Sequence, residues 1–522
     1  MRRLTATSLV LSLVALGVPF FVVAIPPVVD FPNHLARMWL ISGGVRQPPL
    51  DAMYAVEWSR AVTNIGIDVV AGLLGPAIGA DVLARVMLAL SLLVPVMGGL
   101  ALAYAVSGRL HPLMLAIPLW AWHTCFNLGF MNQQIAVGLA LLAAVAERFL
   151  PSSVGRIGLR VMAALLIAII HPFGAVAHAA TLTGLALGPG LRWWSRLPQA
   201  ALAASIPVLT TAALLFASAA PKFTNGGEGP RGTLQWIGAV GKIGTALSYF
   251  VSYFPAVESL CGIGFLGALL LAIRRGAIKR HHGLAVVAGS LALLALIAPS
   301  RIGSTMQVDI RFATLAGLLF VSALTPVVTS FSLRWGGVAA MLGLAAVLRT
   351  AAITATWLEA RNDLRSIAVA LEAVPPGARI LVALEPAQQF EWFPKNPWRS
   401  AGFQSTALHY GALAVPWRRS FTPLVFSEAG KQPLRVLPPY DRLSIPGGGL
   451  PPLVALDDPD APKVPEFGYL RQWRRDFDFV LQINAEAGVL IPPGLDLTRD
   501  EGFARLFRVP RDQSRGAVTP PP

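Results

Sequence analysis

Charge is scarce in this sequence. Only 13% of its 522 residues are Asp, Glu, Lys or Arg, where soluble domains carry about 25%, and 55% are hydrophobic. A surface so apolar excludes an ordinary soluble fold and makes lipid the main solvent. Cysteine is nearly absent. The two present, Cys125 and Cys261, both lie in apolar runs, which excludes a disulfide framework and a zinc-binding spacing. Acid is scarcer than base, 27 residues against 42, for a net charge of +15. The basic residues fall in short clusters between apolar runs, the pattern of cytoplasmic loops, which argues against nucleic acid as a partner. A GxGxxG turn between a strand and a helix, a P-loop, HExxH and a nucleophile elbow are all missing. No inverted repeat is visible.

What is present is a series of long apolar runs. The first, behind Arg2 and Arg3, reads as a signal anchor that leaves the arginines inside and Pro26 outside. Others centre near 82–107, 112–130, 131–149, 157–171, 172–189, 199–219, 257–273, 283–300, 312–331 and 335–357. The stretch 112–149 is too long for one crossing at about 1.5 Å per residue, so it breaks at "NLGFMNQQ" (127–134). The stretch 157–189 breaks at "HPFG", where Pro172 and Gly174 interrupt a helix. Arg109, then Arg148/Arg156/Arg160, Arg192/Arg196, Arg274/Arg275/Lys279/Arg280 and Arg334 all face the cytoplasm only if residues 62–80 do not cross. That piece reads as an interfacial helix in the first outer loop, about 26–81. The expectation is a polytopic α-helical membrane domain over 1–357, with about eleven spans and the N-terminus cytoplasmic.

From about 358 helix alternates with strand: "WLEARNDLRSIAVALEAVPPGARILVAL", then "YLRQWRRDFDFVLQIN", then "FARLFRV". That alternation predicts an extracytoplasmic α/β domain over 358–510, with a disordered tail at 511–522.

The stretch "IPPVVDFPNHLARMWL" (25–40) follows the first span directly. At its plainest, Asp30 caps a helix that starts at Phe31-Pro32, with His34 and Arg37 at headgroup level. A second reading gives it chemistry. A carboxylate at a membrane rim is partly desolvated, which raises its basicity and suits it to take a proton from an attacking hydroxyl or amine. Asp30 and His34 are four apart and share a helical face. They could equally ligate a divalent metal ion, but two ligands are too few to specify one. Other outer turns supply further candidates. Arg301, Asp309 and Arg311 could clamp a phosphate, with Asp309 orienting an arginine; His171 could touch the same phosphate; Asn127, Asn132, Gln133 and Gln134 could line a sugar cavity. Each also has a structural reading, as headgroup-level salt bridges, a carbonyl partner at a broken helix, or a capped turn.

A first span followed by an acidic residue, a long outer loop with an interfacial helix, about eleven spans and a C-terminal outer domain resemble the GT-C membrane glycosyltransferases. The strings "DFPNHLARM", "VDIRF" and "HYGALAVPWRRSFTPLVFS" are similar to a bacterial group of that superfamily. The resemblance implies a polyprenyl-phosphate-linked sugar donor, catalysis at the periplasmic face of the inner membrane, inversion at the sugar carbon and an acceptor that is saccharide, lipid or protein. It maps the role of base or acceptor-binding carboxylate onto Asp30, and the absence of nucleotide motifs agrees with a lipid-linked donor. The chain departs from the commoner pair of adjacent acids, since Phe31 holds the second position; Asp51, Glu57 and Asp68 are the candidate partners. Two rival functions stand beside this one: a flippase for lipid-linked saccharides, and a non-catalytic anchor presenting the outer domain.

Overall fold

The computed structural model describes residues 2–218, 234–327, 332–385, 392–445, 449–485 and 491–510. The tail at 511–522 and all but the last residues of the expected outer segment 221–236 lie outside the described residues.

The fold is mostly helical, and the helices follow the apolar runs. Among the described residues, six are long and apolar enough to cross a membrane: Arg2–Val22, Ala80–Ser107, Ser153–Ile170, Trp193–Phe216, Pro255–Arg274 and Trp335–Leu371. Labelled from the N-terminus, the principal helices are α1 (Arg2–Val22), α2 (Phe31–Ile41), α3 (Gly66–Ile78), α4 (Ala80–Ser107), α5 (Met131–Ala146), α6 (Ser153–Ile170) and α7 (Pro172–Leu187). They continue as α8 (Leu197–Ser218), α9 (Ala239–Leu247), α10 (Pro255–Arg274), α11 (His282–Ile297), α12 (Val308–Ser322) and α13 (Ser332–Leu371). Without a hydrophobic drive between helices in lipid, small residues decide where they meet. α4 crosses α5 at Gly98 and Gly138, where a Cβ on Gly138 would lie 2.4 Å from the Pro95 nitrogen. α6 stops at Ile170 and α7 starts at Pro172, so the break falls on His171. α3 has 13 residues, about 20 Å of helix at 1.5 Å per residue, too short for a hydrocarbon core of about 30 Å.

Residues 112–130, expected as one span, take a different course. They form three short helical pieces, Pro112–Leu115, Ala116–Leu119 and Thr124–Asn127, all buried in protein. Pro112 and Pro118 deny the segment regular amide donors. A buried, broken backbone needs partners for its freed carbonyls, and Arg349 of α13 supplies some of them. Its guanidinium donates to the carbonyls of Leu119 (2.9 Å), Trp122 (3.1 Å) and Phe250 (2.7 Å), and pairs with Glu258 of α10 at 2.8 Å.

α13 runs for 40 residues, about 60 Å, twice the hydrocarbon thickness. The border expected at 357–358 falls inside this one helix, which carries the membrane region directly into the C-terminal region. There, β2 (Ile380–Leu384) pairs in parallel with β4 (Phe479–Ile483), and β6 (Ala504–Arg508) joins β4 and β5 (Asp496–Asp500) antiparallel, giving the order β5-β6-β4-β2. The segment 26–81 is tied to this region by β1 (Tyr54–Val56) paired antiparallel with β3 (Leu434–Val436). The segment Thr406–Leu413 packs on α2. The residues behind the first span therefore lie between the helical bundle and the C-terminal region.

Candidate functional site

Asp30 lies in a turn that hydrogen-bonds to residues 127–129, Val29 N–H to the Asn127 carbonyl (3.0 Å) and Asp30 N–H to the Leu128 carbonyl (3.1 Å). Gly129, at φ +85°, lets the two backbones touch, since a Cβ there would come within 2.8 Å of the Asp30 Cβ. Asp30 occupies the N-cap position of α2, but its side chain makes no capping hydrogen bond. Asp30 Oδ1 instead lies 3.3 Å from His409 Nε2, with 20% of the Asp30 side chain and 9% of the His409 side chain exposed. It also attracts the Arg311 guanidinium electrostatically.

Arg311 is held from several sides. Nη1 donates to Gln133 Oε1 (2.6 Å), Nη2 to the Met306 carbonyl (3.2 Å) and Nε to the Gln307 carbonyl (3.3 Å), and the guanidinium lies 4.3 Å from the Phe130 ring centroid. Its Nη1 is also 3.4 Å from His171 Nε2. His171 Nδ1 accepts the Phe173 N–H at 3.0 Å, capping α7. An imidazole that accepts at Nδ1 carries its proton at Nε2. His171 Nε2 and Arg311 Nη1 lie against each other, within 3.4 Å. Lys431, paired with Glu428 at 3.0 Å, acts electrostatically on His171 from the C-terminal region. Asp30, Arg311, His171 and Lys431 are thus linked electrostatically across α2, the start of α7, α12 and the 420–432 loop.

The remaining candidates have other partners. His34 donates from Nε2 to the Gly129 carbonyl at 3.0 Å and packs edge-on against Phe426. Burial, aided by Arg37, holds its pKa well below the ordinary histidine value. Arg37, expected to touch substrate, is instead buried in an ion pair with Asp68, Nε to Oδ1 at 2.6 Å and Nη2 to Oδ2 at 3.3 Å, which joins α2 to α3. Asp309, expected to orient an arginine, binds Lys242 (2.7 Å) and Thr245 (3.0 Å) of α9 through Oδ2. Asn127 donates to the carbonyls of Trp122 and His123 within its own turn. Gln134 is buried on α5, one residue from the Gln133 that holds Arg311. Arg301 stands on a hairpin with 305–306, its Nε donating to the Gly303 carbonyl. None of the three candidate second carboxylates meets Asp30: Asp68 pairs with Arg37, Glu57 with Arg435, and Asp51 accepts from the Ala52 N–H. Among the described residues, no group of three or more His, Cys, Asp or Glu could hold a metal ion.

Sequence reasoning left His409 and Lys431 out of the site and read Gln133 as lining a sugar cavity, whereas it holds Arg311. His409 lies 379 positions from Asp30, and nothing in local spacing links them; the visible signal was its place at the head of the string "HYGALAVPWRRSFTPLVFS".

No family model matches the chain, and no curated protein matches it. Two solved structures do, both of ArnT, a GT-C glycosyltransferase, from Cupriavidus metallidurans. The structure bound to undecaprenyl phosphate is 13% identical over 97% of this chain and 97% of that one, with a TM-score of 0.49. The apo structure is 13% identical over 97% and 96%, with a TM-score of 0.46.

Proposed function

We propose that this protein is a membrane glycosyltransferase that moves a sugar from a polyprenyl-phosphate donor to an acceptor at the outer face of a bacterial inner membrane. The observation that carries the reading is a single carboxylate, Asp30, within electrostatic reach of Arg311, whose Nη1 lies 3.4 Å from His171 Nε2. In this reaction the acceptor hydroxyl or amine gives its proton to Asp30 as its lone pair attacks the sugar carbon. The bond from that carbon to the phosphate oxygen breaks, and the phosphate leaves with the electron pair and inverted sugar geometry behind it. Arg311 and the Nε2–H of His171 meet the new charge with charge-assisted hydrogen bonds, and Lys431 adds long-range attraction. Arg301 is the remaining candidate cation. The acceptor is a saccharide, a lipid or a protein.

In this reading the chain crosses the membrane about eleven times with its N-terminus cytoplasmic. The region 358–510 is periplasmic and closes the site through His409 and the 420–432 loop. The test is transfer of label from defined polyprenyl-phosphate sugars. Wild type transfers, and Asp30→Asn loses about 10²-fold or more in rate, the usual contribution of a general base. Undiminished transfer by a stably folded Asp30→Asn variant would remove Asp30 from the chemistry.

A further inference from the structure

His409 is the residue that the sequence left unread, and its environment fixes more than its position. The key is Asn33, one helical turn from Asp30 on α2. Its amide orientation is decided by two backbone partners: Oδ1 accepts the Phe426 N–H at 2.8 Å, and Nδ2 donates to the Leu424 carbonyl at 2.6 Å. A flipped amide would set donor against donor and acceptor against acceptor. The second Nδ2 proton therefore points at His409 Nδ1, 3.1 Å away. Nδ1 accepts it, so the ring proton is on Nε2, and Nε2 faces Asp30 Oδ1 at 3.3 Å. Phe426 packs edge-on against His409 and His34 alike, with centroids 5.0 and 5.4 Å away, and covers the group.

We infer that His409 is a positioning residue for Asp30: it is the neutral Nε2–H tautomer, locked by Asn33, and it aims the Asp30 carboxylate from the C-terminal region. This rests on the transferase reading for its catalytic consequence but not for its chemistry. A histidine whose Nδ1 lone pair is taken by Asn33 and whose Nε2 holds a proton has no site left to accept one. The dyad therefore contains one base, Asp30, and His409 acts only through it. The second outer-loop acid that the family pattern supplies at position 31 is then replaced here by a donor that orients the first. The segment 406–426 must be docked on α2 for Asp30 to point correctly, so docking of the C-terminal region and readiness of the base are the same event.

The experiment uses the full-length protein in lipid nanodiscs with ¹⁵N-labelled histidine. The resonance lost in His409→Gln identifies His409. The inference expects a neutral ring protonated at Nε2 in wild type, and in Asn33→Ala an appearance of the Nδ1–H form. A wild-type ring carrying its proton at Nδ1, or a tautomer indifferent to Asn33→Ala in a folded variant, would overturn it. Label transfer then reads the consequence. His409→Gln keeps an N–H donor at the right reach and retains kcat within about threefold, whereas His409→Leu keeps the bulk but loses about 10²-fold in kcat at similar KM, the scale of a misdirected group. Equal damage from Gln and Leu would contradict positioning. Nε2–H NMR with no transfer by wild type would instead sink the transferase reading and leave the tautomer lock standing.

Discussion

The Arg37–Asp68 pair offers the sharpest test of what the first outer loop is for. Both side chains are buried, 1% and 0% exposed, and they join at 2.6 and 3.3 Å. Burial pushes the Asp68 carboxyl above its ordinary range while Arg37 pulls it back. Removing one partner strands the other charge, which costs about 3–5 kcal/mol. At 1.36 kcal/mol per tenfold, Asp68→Asn raises the opening equilibrium of α3 from α2 by about 10²- to 10⁴-fold. Replacing both by apolar groups of similar volume is close to neutral in such pairs. The assay is thiol labelling of Ala71→Cys, on the buried face of α3, in a Cys261→Ser background, since Cys125 is buried and Cys261 exposed. Asp68→Asn should speed labelling about 100-fold or more, and Arg37→Met with Asp68→Leu should return it to within about tenfold of the parent. Labelling that changes less than tenfold in Asp68→Asn would refute the fastening role. Loss of transfer in the folded double variant would restore Arg37 to the list of substrate contacts.

Two further outcomes follow from the same site. Gly129→Ala forces a Cβ to within 2.8 Å of the Asp30 Cβ at φ +85°, so it should cost about 1–2 kcal/mol of stability and slow transfer more than it slows unfolding-independent donor binding; a fully active Gly129→Ala would deny the close packing of the turn on Asp30. His34 is held neutral in the fold, its pKa lowered well below 6.5. Below pH 6.5 the unfolded chain therefore takes up a proton that the folded chain refuses, so stability falls as the medium is acidified, by about 1.4 kcal/mol per pH unit, until the folded pKa is reached. His34→Asn, measured by thermal melts from pH 7.5 to 5, should flatten that slope.

The parts of the fold readable from sequence were those set by local pattern. Apolar run length placed α4 and α10, and Pro172 placed the break at His171. What was not readable depended on partners far apart in the chain. Residues 112–127 were apolar enough to suggest one helix, and the distant Arg349 is among the partners that make their broken course tolerable. Arg37 and Asp309 carry charges that look available in a string, and Asp68 and Lys242 neutralise them in space. The site divides the same way. Asp30 stood out as an acid directly behind a span, while His409 needs Asn33, Leu424 and Phe426 folded over it before its role exists.

The most direct test of the central claim is equilibrium binding of undecaprenyl phosphate to the full-length protein in nanodiscs. If Arg311 and His171 receive the phosphate, Arg311→Gln weakens binding about 10- to 100-fold, the equivalent of one charge-assisted hydrogen bond of about 1.5–3 kcal/mol, while Asp30→Asn binds within about threefold of wild type. Unchanged affinity in a folded Arg311→Gln variant would contradict the account.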